Sequence, residues 1–260
     1  MVERLEDALT KAGLGGKRPS PVELAPLDQF HTRGLAATVE LAEAVNIQPH
    51  EPVVDIGSGL GGPSRYLAAN FGCRVSGVDL SPTFVEAASF LADRTELAGE
   101  VDYRCADALA LPFEDESFDV GWTQHVAMNI GNRAGLYAEV FRVLQPGGRF
   151  AIYDVVARQG KDVIFPVPWS RTPATSFSKT ADEMLKALVE QGFQTLSWSD
   201  GSEAAVKWFD EQRAARARGA QPTMGFQIAM GPDLPEMAAN LERNLREGRV
   251  GLVQAIMGRP

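Results

Sequence analysis

A chain of 260 residues, 45% of them hydrophobic, is long enough to bury a core of its own. The net charge of −9 disfavours a general binder of nucleic acid, because that affinity comes largely from Lys and Arg side chains. No apolar stretch approaches the roughly 20 residues needed to cross a bilayer, and the mixed-charge start does not resemble a signal peptide. We expect a cytoplasmic protein with neither nucleic acid nor membrane as partner; homo-oligomerisation stays open.

The two cysteines, Cys73 and Cys105, both lie in apolar, strand-like segments. Such a pair is more typical of buried free thiols than of a disulfide. We therefore expect both side chains to be buried and reduced, in keeping with a cytoplasmic location.

Apolar and amphipathic segments alternate along the first part of the chain. The predicted strands cover residues 51–56, 74–78, 101–105, 118–123 and 149–155. The predicted helices cover residues 35–45, 63–71, 82–96 and 133–143, and two of them have Pro near the first turn. This alternation predicts a mostly parallel sheet with helices on both faces.

The C-terminal part opens with an irregular segment, residues 157–179, which contains three prolines and is predicted to be a long loop. The predicted elements that follow are a helix at 181–190, a strand at 193–198, helices at 203–218 and 234–246, and a last strand at 251–257. No segment has the composition of a linker, so we expect one domain.

The strongest chemical signal is a glycine-rich turn, GSGLGG, directly after the first predicted strand. Glycine permits the tight turn and lets backbone N–H groups approach a ligand closely. Gly57, Gly59 and Gly62 match the G-x-G-x-x-G pattern of dinucleotide-binding proteins. Asp79 lies about 20 residues further on, where a carboxylate can accept hydrogen bonds from both ribose hydroxyls. Asp79 also fits a second role as a helix cap, because Asp-Leu-Ser-Pro is a good capping sequence.

These two features alone do not separate a nicotinamide-dependent enzyme from a methyltransferase, but the wider pattern does. Residues 28–155 resemble the class I S-adenosylmethionine-dependent methyltransferases in several segments, in order and spacing. The segments are 55–62 (DIGSGLGG), 77–81 (GVDLS), 105–108 (CADA), 111–119 (LPFEDESFD), 121–125 (GWTQH) and 143–150 (VLQPGGRF). Neither a second mononucleotide-binding half nor the catalytic residues of a dehydrogenase is visible, so we favour the methyltransferase.

The resemblance implies a Rossmann-like α/β fold. Its sheet has seven strands in the order 3-2-1-4-5-7-6, with the last strand antiparallel, helices on both faces and a helical lid. Within a single domain of residues 1–260, we expect the lid in residues 1–48 and the cofactor-binding core in 49–156. Residues 157–260 would then supply the substrate loop, further helices and the last strands.

The resemblance also implies S-adenosylmethionine as the cofactor. Gly57 and Gly59 would approach its methionine part, Asp79 the ribose, and Asp107 with Ala108 the adenine. Gln124 would support the sulfonium side. The full set of expected cofactor contacts is Phe30, Asp55, Gly57, Gly59, Asp79, Leu80, Asp107, Ala108 and Gln124.

Residues 27–34 (LDQFHTRG) precede the amphipathic helix at 35–45. Similar small-molecule methyltransferases use such a segment as a lid, so Phe30 would touch the methionine end and His31 is a candidate catalytic residue. The alternative is that Phe30 packs in the core and His31 caps the helix locally.

Residues 28–34, 123–130 and 165–169 look most like the sarcosine/dimethylglycine, phosphoethanolamine and tocopherol methyltransferases. Many O-methyltransferases of this group place a His pair after strand four as a general base, whereas this chain has Met128 and Asn129 there. One interpretation is that His125 serves as the base. Another is that positioning alone lowers the barrier, by roughly 7–11 kcal/mol. A third is that His125 only contacts the cofactor.

We therefore expect methyl transfer to nitrogen or oxygen, with carbon less favoured, of a small organic molecule, mainly by positioning. The alternatives are an NAD-dependent oxidoreductase and a non-catalytic cofactor-binding protein of the same fold. Aromatic side chains outside the motifs could line the substrate pocket or simply pack in the core, namely Phe165, Trp169, Trp208 and Phe226. The three scattered His residues predict no metal site.

Overall fold

The computed structural model describes residues 1–219 and 224–260 and is built around one mixed sheet. Its strands are β1 (Pro52–Ile56), β2 (Arg74–Asp79), β3 (Val101–Cys105), β4 (Phe118–Gln124), β5 (Leu144–Ala157), β6 (Gln194–Asp200) and β7 (Val250–Gly258). They follow the order β3-β2-β1-β4-β5-β7-β6. The pairs among β1 to β5 are parallel, whereas β7 is antiparallel to both of its neighbours. The predicted strand order and orientation are confirmed.

Helices surround this sheet, and most lie where the sequence pattern predicts them. They are α1 (Val2–Lys11), α2 (Pro21–Asp28), α3 (Leu35–Val45), α4 (Gly62–Phe71), α5 (Pro82–Arg94), α6 (Arg133–Val143), α7 (Ala181–Glu190), α8 (Ser202–Ala217), α9 (Gln227–Met230) and α10 (Leu234–Arg246). Short 3₁₀ helices cover Ala127–Asn129 and Pro173–Thr175. Among the described residues, no helix is both long and apolar enough to span a bilayer.

The sheet separates two apolar cores. Val53 packs with α3, α4, α8 and α10 on one face, and Val54 packs with α6 and α7 on the other. Adjacent residues reach opposite cores because successive side chains of a strand point to opposite faces. Both residues are fully buried, so β1 lies at the centre of the molecule and its glycine turn has a rigid support.

The two cysteines differ in burial. Both are free thiols, and Cys73 is buried as expected, but Cys105 is exposed. The prediction for Cys105 was wrong because β3 is an edge strand of the sheet and Cys105 is its last residue. An apolar strand pattern does not show which strand lies at the edge.

The irregular segment 157–179 is held against α10 by two asparagine side chains. Asn244 is fully buried, and its amide donates to Ile164 O at 2.9 Å and accepts from Ile164 N at 2.8 Å. Asn240 donates to Pro166 O at 2.9 Å. The segment forms no long helix or strand, as predicted. Its backbone N–H and C=O groups bond to the two asparagine side chains instead of to a neighbouring strand.

A buried ion pair joins α2 to α4. Arg65 Nη2 donates to Asp28 Oδ2 at 2.6 Å, and both side chains are 0% exposed. Arg65 Nη1 also lies 3.3 Å from Ala88 O and 3.5 Å from the Tyr103 hydroxyl. Burial raises the pKa of Asp28 to about 6, against the opposing effect of the Arg65 charge. The pair sets the position of α2 relative to the helix that follows the glycine turn.

Asp28→Ala is expected to lower the free energy of unfolding by about 3–5 kcal/mol, because it leaves the Arg65 charge buried without a partner. Urea denaturation at pH 7.5 measures the loss. The control is Glu96→Ala, which breaks the Arg18–Glu96 pair, whose side chains are 57% and 66% exposed. We expect the control to cost less than about 1 kcal/mol. Equal losses in both variants would show that Arg65 does not depend on Asp28.

Candidate active site

The glycine turn after β1 needs glycine both for its conformation and for space. Gly57 has φ +73° and Gly59 has φ +54°, values that L-residues with a side chain rarely adopt. A Cβ at Gly57 would lie 2.5 Å from Val126 Cγ2. The N–H groups of Gly57 and Ser58 both donate to Val78 O, at 2.7 and 3.0 Å, and so tie the turn to β2.

Asp79 ends β2 and faces this turn. Its Oδ2 accepts from Gly59 N at 3.0 Å and its Oδ1 from Ser81 N at 2.8 Å. Burial raises the pKa of this carboxyl, and the two N–H donors oppose the effect. The N-cap of α5 is Ser81, whose hydroxyl accepts from Phe84 N, so the capping alternative for Asp79 is wrong. The carboxylate is held beside the glycine backbone instead.

Asp55 contacts α4. It is 2% exposed, and its Oδ2 accepts from the Ser64 hydroxyl at 2.6 Å. Burial raises the pKa of Asp55 to about 7, the Ser64 hydrogen bond opposes this effect, and the negative charge of Asp79 adds to it. Among the described contacts, Asp55 therefore holds the glycine turn to the helix that follows it.

Three further predicted residues lie at the ends of β2 and β3. Leu80 is 73% exposed, although it directly follows the half-buried Asp79. Asp107 is exposed and its Oδ1 accepts from Leu109 N at 2.9 Å, and Ala108 is half-buried. An exposed leucine beside carboxylates offers an apolar surface and polar acceptors at one edge of the sheet.

Phe30 covers the glycine turn. Its ring lies 3.4 Å from the position that a Cβ of Gly59 would occupy. It also packs against Phe84 and Phe226, with ring centroids 6.0 and 5.3 Å apart. Residues 27–34 of the predicted lid thus reach the turn through Phe30, which is at the same time part of an apolar cluster.

The predicted lid also reaches β4, through His31. The His31 Nε2 lies 2.9 Å from Gly34 O, 3.2 Å from the Thr38 hydroxyl and 3.1 Å from Gln124 Nε2. Gln124 Oε1 in turn accepts from Trp122 Nε1 at 3.1 Å and from Thr38 Oγ1 at 3.1 Å. Gln124 therefore bonds to the N-terminal segment as well as to its own strand.

His125 follows β4 in a left-handed conformation, with φ +56°. Its N–H donates to Tyr153 O at 2.8 Å, and its ring stacks on the Tyr153 ring with centroids 5.2 Å apart. The His31 ring centroid lies 6.0 Å away. Burial lowers the pKa of His31 to about 4, and burial together with the nearby His31 lowers that of His125 well below its usual range. Both rings are therefore neutral at pH 7.

The structure adds Tyr153 to this site, a residue that the sequence reading missed. It lies on β5 opposite Gln124 and is fully buried. In the sequence it looks like an ordinary core residue of a strand. Only the register between β4 and β5 places it beside the strand end where Gln124 and His125 lie.

The aromatic residues that were candidates for the substrate pocket divide between two environments. Phe226 packs on Phe30 and so belongs to the surroundings of the glycine turn. Trp169 packs against the core and donates to the Ser176 hydroxyl at 3.0 Å. Trp208 contacts Phe209, which packs on the same core. Within residues 1–219 and 224–260, no group of three or more potential metal ligands is found.

Comparison with known proteins identifies the class to which this fold and site belong. A family model for a methyltransferase domain matches residues 54–152. The methyltransferase GfsG of Streptomyces halstedii is 33% identical over 191 residues, which cover 72% of this chain and 68% of that protein. The chain belongs to this family of methyltransferases. The oxidoreductase alternative is accordingly not favoured.

Two further similarities extend the comparison. Tocopherol O-methyltransferase of Arabidopsis thaliana is 34% identical over 162 residues, and the match covers 58% of this chain but only 46% of that protein. Phosphoethanolamine N-methyltransferase 2 of Haemonchus contortus was solved with phosphomonomethylethanolamine and S-adenosylhomocysteine. It matches 98% of this chain and 60% of its own with a TM-score of 0.76 at 18% identity, which shows a shared fold.

The residues at the ends of β1 to β3 suit S-adenosylmethionine, the cofactor of this class. Asp79 presents a carboxylate beside the glycine turn, and a carboxylate can accept hydrogen bonds from ribose hydroxyls. Gly57 and Gly59 add no side chain of their own to the turn, and the exposed Leu80 is an apolar surface of the kind that an adenine ring can contact.

Asp79→Ala is expected to weaken binding of S-adenosylmethionine by about 1.5–3 kcal/mol, because it removes a charged acceptor for two hydroxyl groups. Titration calorimetry measures the affinity, and circular dichroism checks the fold. Asp102→Ala is the control, since Asp102 lies on β3 and is half exposed in a pair with Arg104. The assignment of Asp79 fails if both folded variants bind as the wild type does.

Gly57→Ala is expected to reduce cofactor affinity at least about tenfold, because the new Cβ displaces Val126 and the backbone of the turn. The matched control is Gly72→Ala, since Gly72 also has a positive φ, +67°, but no atom lies within 4 Å of its missing Cβ. In both variants the new Cβ strains a left-handed backbone, so the free energy of unfolding should fall by about 1–2 kcal/mol in each. Only Gly57→Ala should change the calorimetric affinity; an equal change in both would mean that backbone strain alone is responsible.

Proposed function

We propose that this protein transfers a methyl group from S-adenosylmethionine to a nitrogen or oxygen, with carbon less favoured, of a small organic molecule. The observation that carries the proposal is the Asp79 carboxylate held 3.0 Å from the N–H of Gly59. This contact joins the two features that the class uses to bind its cofactor. The relatives include an O-methyltransferase, an N-methyltransferase and a sterol 24-C-methyltransferase, so they are compatible with acceptors of all three kinds.

Each part of the cofactor has proposed contacts. Asp79 would hold the ribose, and Asp107, Ala108 and Leu80 the adenine, while Gly57 and Gly59 would admit the methionine part. Phe30 and Gln124 would lie over its sulfur side. When bound, the cofactor supplies a methyl group that its sulfonium already activates, so the protein itself needs mainly to bind, align and exclude water.

The state of the two histidines supports a positioning mechanism. A histidine that acts as a general base carries a positive charge after it takes the proton. His31 is buried and His125 is half-buried, and burial lowers the pKa of both rings, so each is a weak base in this position. We therefore propose that His125 and His31 contact the reacting molecules as neutral hydrogen-bonding groups.

The test has two independent readings. Calorimetry with S-adenosylmethionine examines cofactor binding, and formation of S-adenosylhomocysteine with a panel of small amines and hydroxyl compounds examines turnover. Binding without turnover across the panel would favour the non-catalytic alternative. We also propose a cytoplasmic location, which the two free cysteines support.

His125→Ala is expected to keep measurable turnover, with a loss below about a hundredfold, because an essential general base usually costs about 10²–10⁴-fold. Because the His125 ring of the wild type is already neutral, we also expect the wild-type kcat to stay constant between pH 6.5 and 8. His50→Ala is the matched control, since His50 also has a positive φ, +70°, but precedes β1 at the opposite end of the strand.

Steady-state rates and the affinities of both ligands are measured for each variant. Suppose that His125→Ala binds both ligands normally but loses transfer by several orders of magnitude. His125 would then be the base, and the positioning mechanism would be wrong.

A further inference from the structure

Two buried polar groups beyond the end of β4 have hydrogen-bonding capacity that the described residues leave unused: the Tyr153 O–H and His125 Nε2. The Tyr153 side chain is fully buried and its ring stacks on that of His125. Leaving one such group unsatisfied costs about 1–3 kcal/mol, so buried polar atoms without partners are uncommon. Two of them on stacked rings indicate a position where a polar group binds.

The two residues lie at the edge of the sheet where β4 ends. Tyr153 lies within β5 opposite Gln124, which is the last residue of β4, and His125 follows Gln124 directly. The next residue, Val126, has its side chain against Gly57. Ligands of parallel α/β sheets bind at this edge. His31 lies beside both rings, with its centroid 6.0 Å from that of His125 and 6.1 Å from that of Tyr153.

The backbone of His125 holds the pair in place at some cost. Its φ of +56° is uncommon for a residue with a side chain, although His is among the residues that adopt it more often. The N–H of His125 donates to Tyr153 O at 2.8 Å, which maintains the conformation. Strained backbone of this kind concentrates at binding and catalytic sites.

The charged side chains near Tyr153 and His125 pair with each other. Both histidines are neutral because burial lowers their pKa. Arg33 lies within hydrogen-bonding reach of the Tyr153 hydroxyl oxygen, and both its charge and this contact oppose the rise in the Tyr153 pKa that burial causes. Arg33 can only donate to that oxygen, so the Tyr153 O–H still lacks an acceptor. Arg33 is itself paired twice with Glu40, with Nη1 donating to Oε2 at 2.7 Å and Nη2 to Oε1. A neutral group therefore suits this place better than a phosphate, a carboxylate or an ammonium ion.

A hydroxyl group matches the hydrogen-bonding capacity of the pair. The phenol O–H of Tyr153 donates, and an unprotonated imidazole nitrogen accepts. A hydroxyl accepts one hydrogen bond and donates another at the same oxygen, so it can satisfy both atoms at once. An ether oxygen can only accept, and a primary ammonium can only donate.

We propose that Tyr153 Oη and His125 Nε2 bind a neutral hydroxyl group of the substrate, so that the substrates are uncharged alcohols or phenols. This inference rests on the proposed methyltransferase function and names the substrate class for it. Tyr153 thereby becomes a specificity-determining residue.

The experiment uses the full chain saturated with S-adenosylhomocysteine, and phenol and its methyl ether, anisole, as probes. Calorimetry compares their affinities for the wild type, Tyr153→Phe and the control Tyr137→Phe. Tyr137 is equally buried, but it lies on α6 and its hydroxyl is 3.4 Å from Arg133. We expect the wild type to prefer phenol about tenfold. Tyr153→Phe should lose this preference and Tyr137→Phe should keep it. Phenol should also shift the imidazole ¹⁵N resonances of His125.

Each outcome bears on the proposal separately. Equal binding of phenol and anisole, no phenol binding, or an unchanged preference in Tyr153→Phe would overturn it. Weaker binding of S-adenosylhomocysteine by Tyr153→Phe would also overturn it, because the hydroxyl would then serve the cofactor. Binding of S-adenosylhomocysteine to the wild type is measured before any probe is added. If it does not bind, the proposed function itself is wrong.

Discussion

The buried ion pair between Asp28 and Arg65 sets the geometry on which the site depends. Asp28 ends α2 and Arg65 lies in α4, and both side chains are fully removed from water. A Cβ at Gly62 would lie 2.5 Å from the carbonyl oxygen of Asp28, so the two helices meet without space between them. An unpaired charge in this position would cost several kcal/mol. The N-terminal segment and the glycine turn consequently keep one relative position.

The contacts of the predicted lid follow from this position. The chain that leaves α2 brings Phe30 onto Gly59 and His31 to Gln124. Thr38 adds hydrogen bonds within the same network, which also includes Trp122 through Gln124. Connected polar groups in a low-dielectric interior stiffen one another. The site is therefore organised by neutral hydrogen bonds and packing, which suits a reaction that depends on alignment more than on proton transfer.

Much of the fold was predictable because it depends on neighbours in the chain. Alternating apolar positions predict the strands. Apolar positions at helical spacing predict helices such as Arg133–Val143 and Leu234–Arg246, whose bounds agree with the structure. The glycine turn and Asp79 were recognisable for a similar reason. A left-handed turn at the end of a strand requires glycine at Gly57 and Gly59, and this requirement is visible in the sequence.

What the sequence by itself determined is therefore the order of elements, their faces and the residues at the strand ends. Only the tertiary structure decided that Asp28 meets Arg65, 37 positions away, and that His31 meets Gln124, 93 positions away. The tertiary structure also decided that Cys105 is exposed on an edge strand and that the rings of Tyr153 and His125 stack. The physical reason is that periodicity and turn chemistry act over a few residues, whereas burial and side-chain pairing depend on which distant segments pack together.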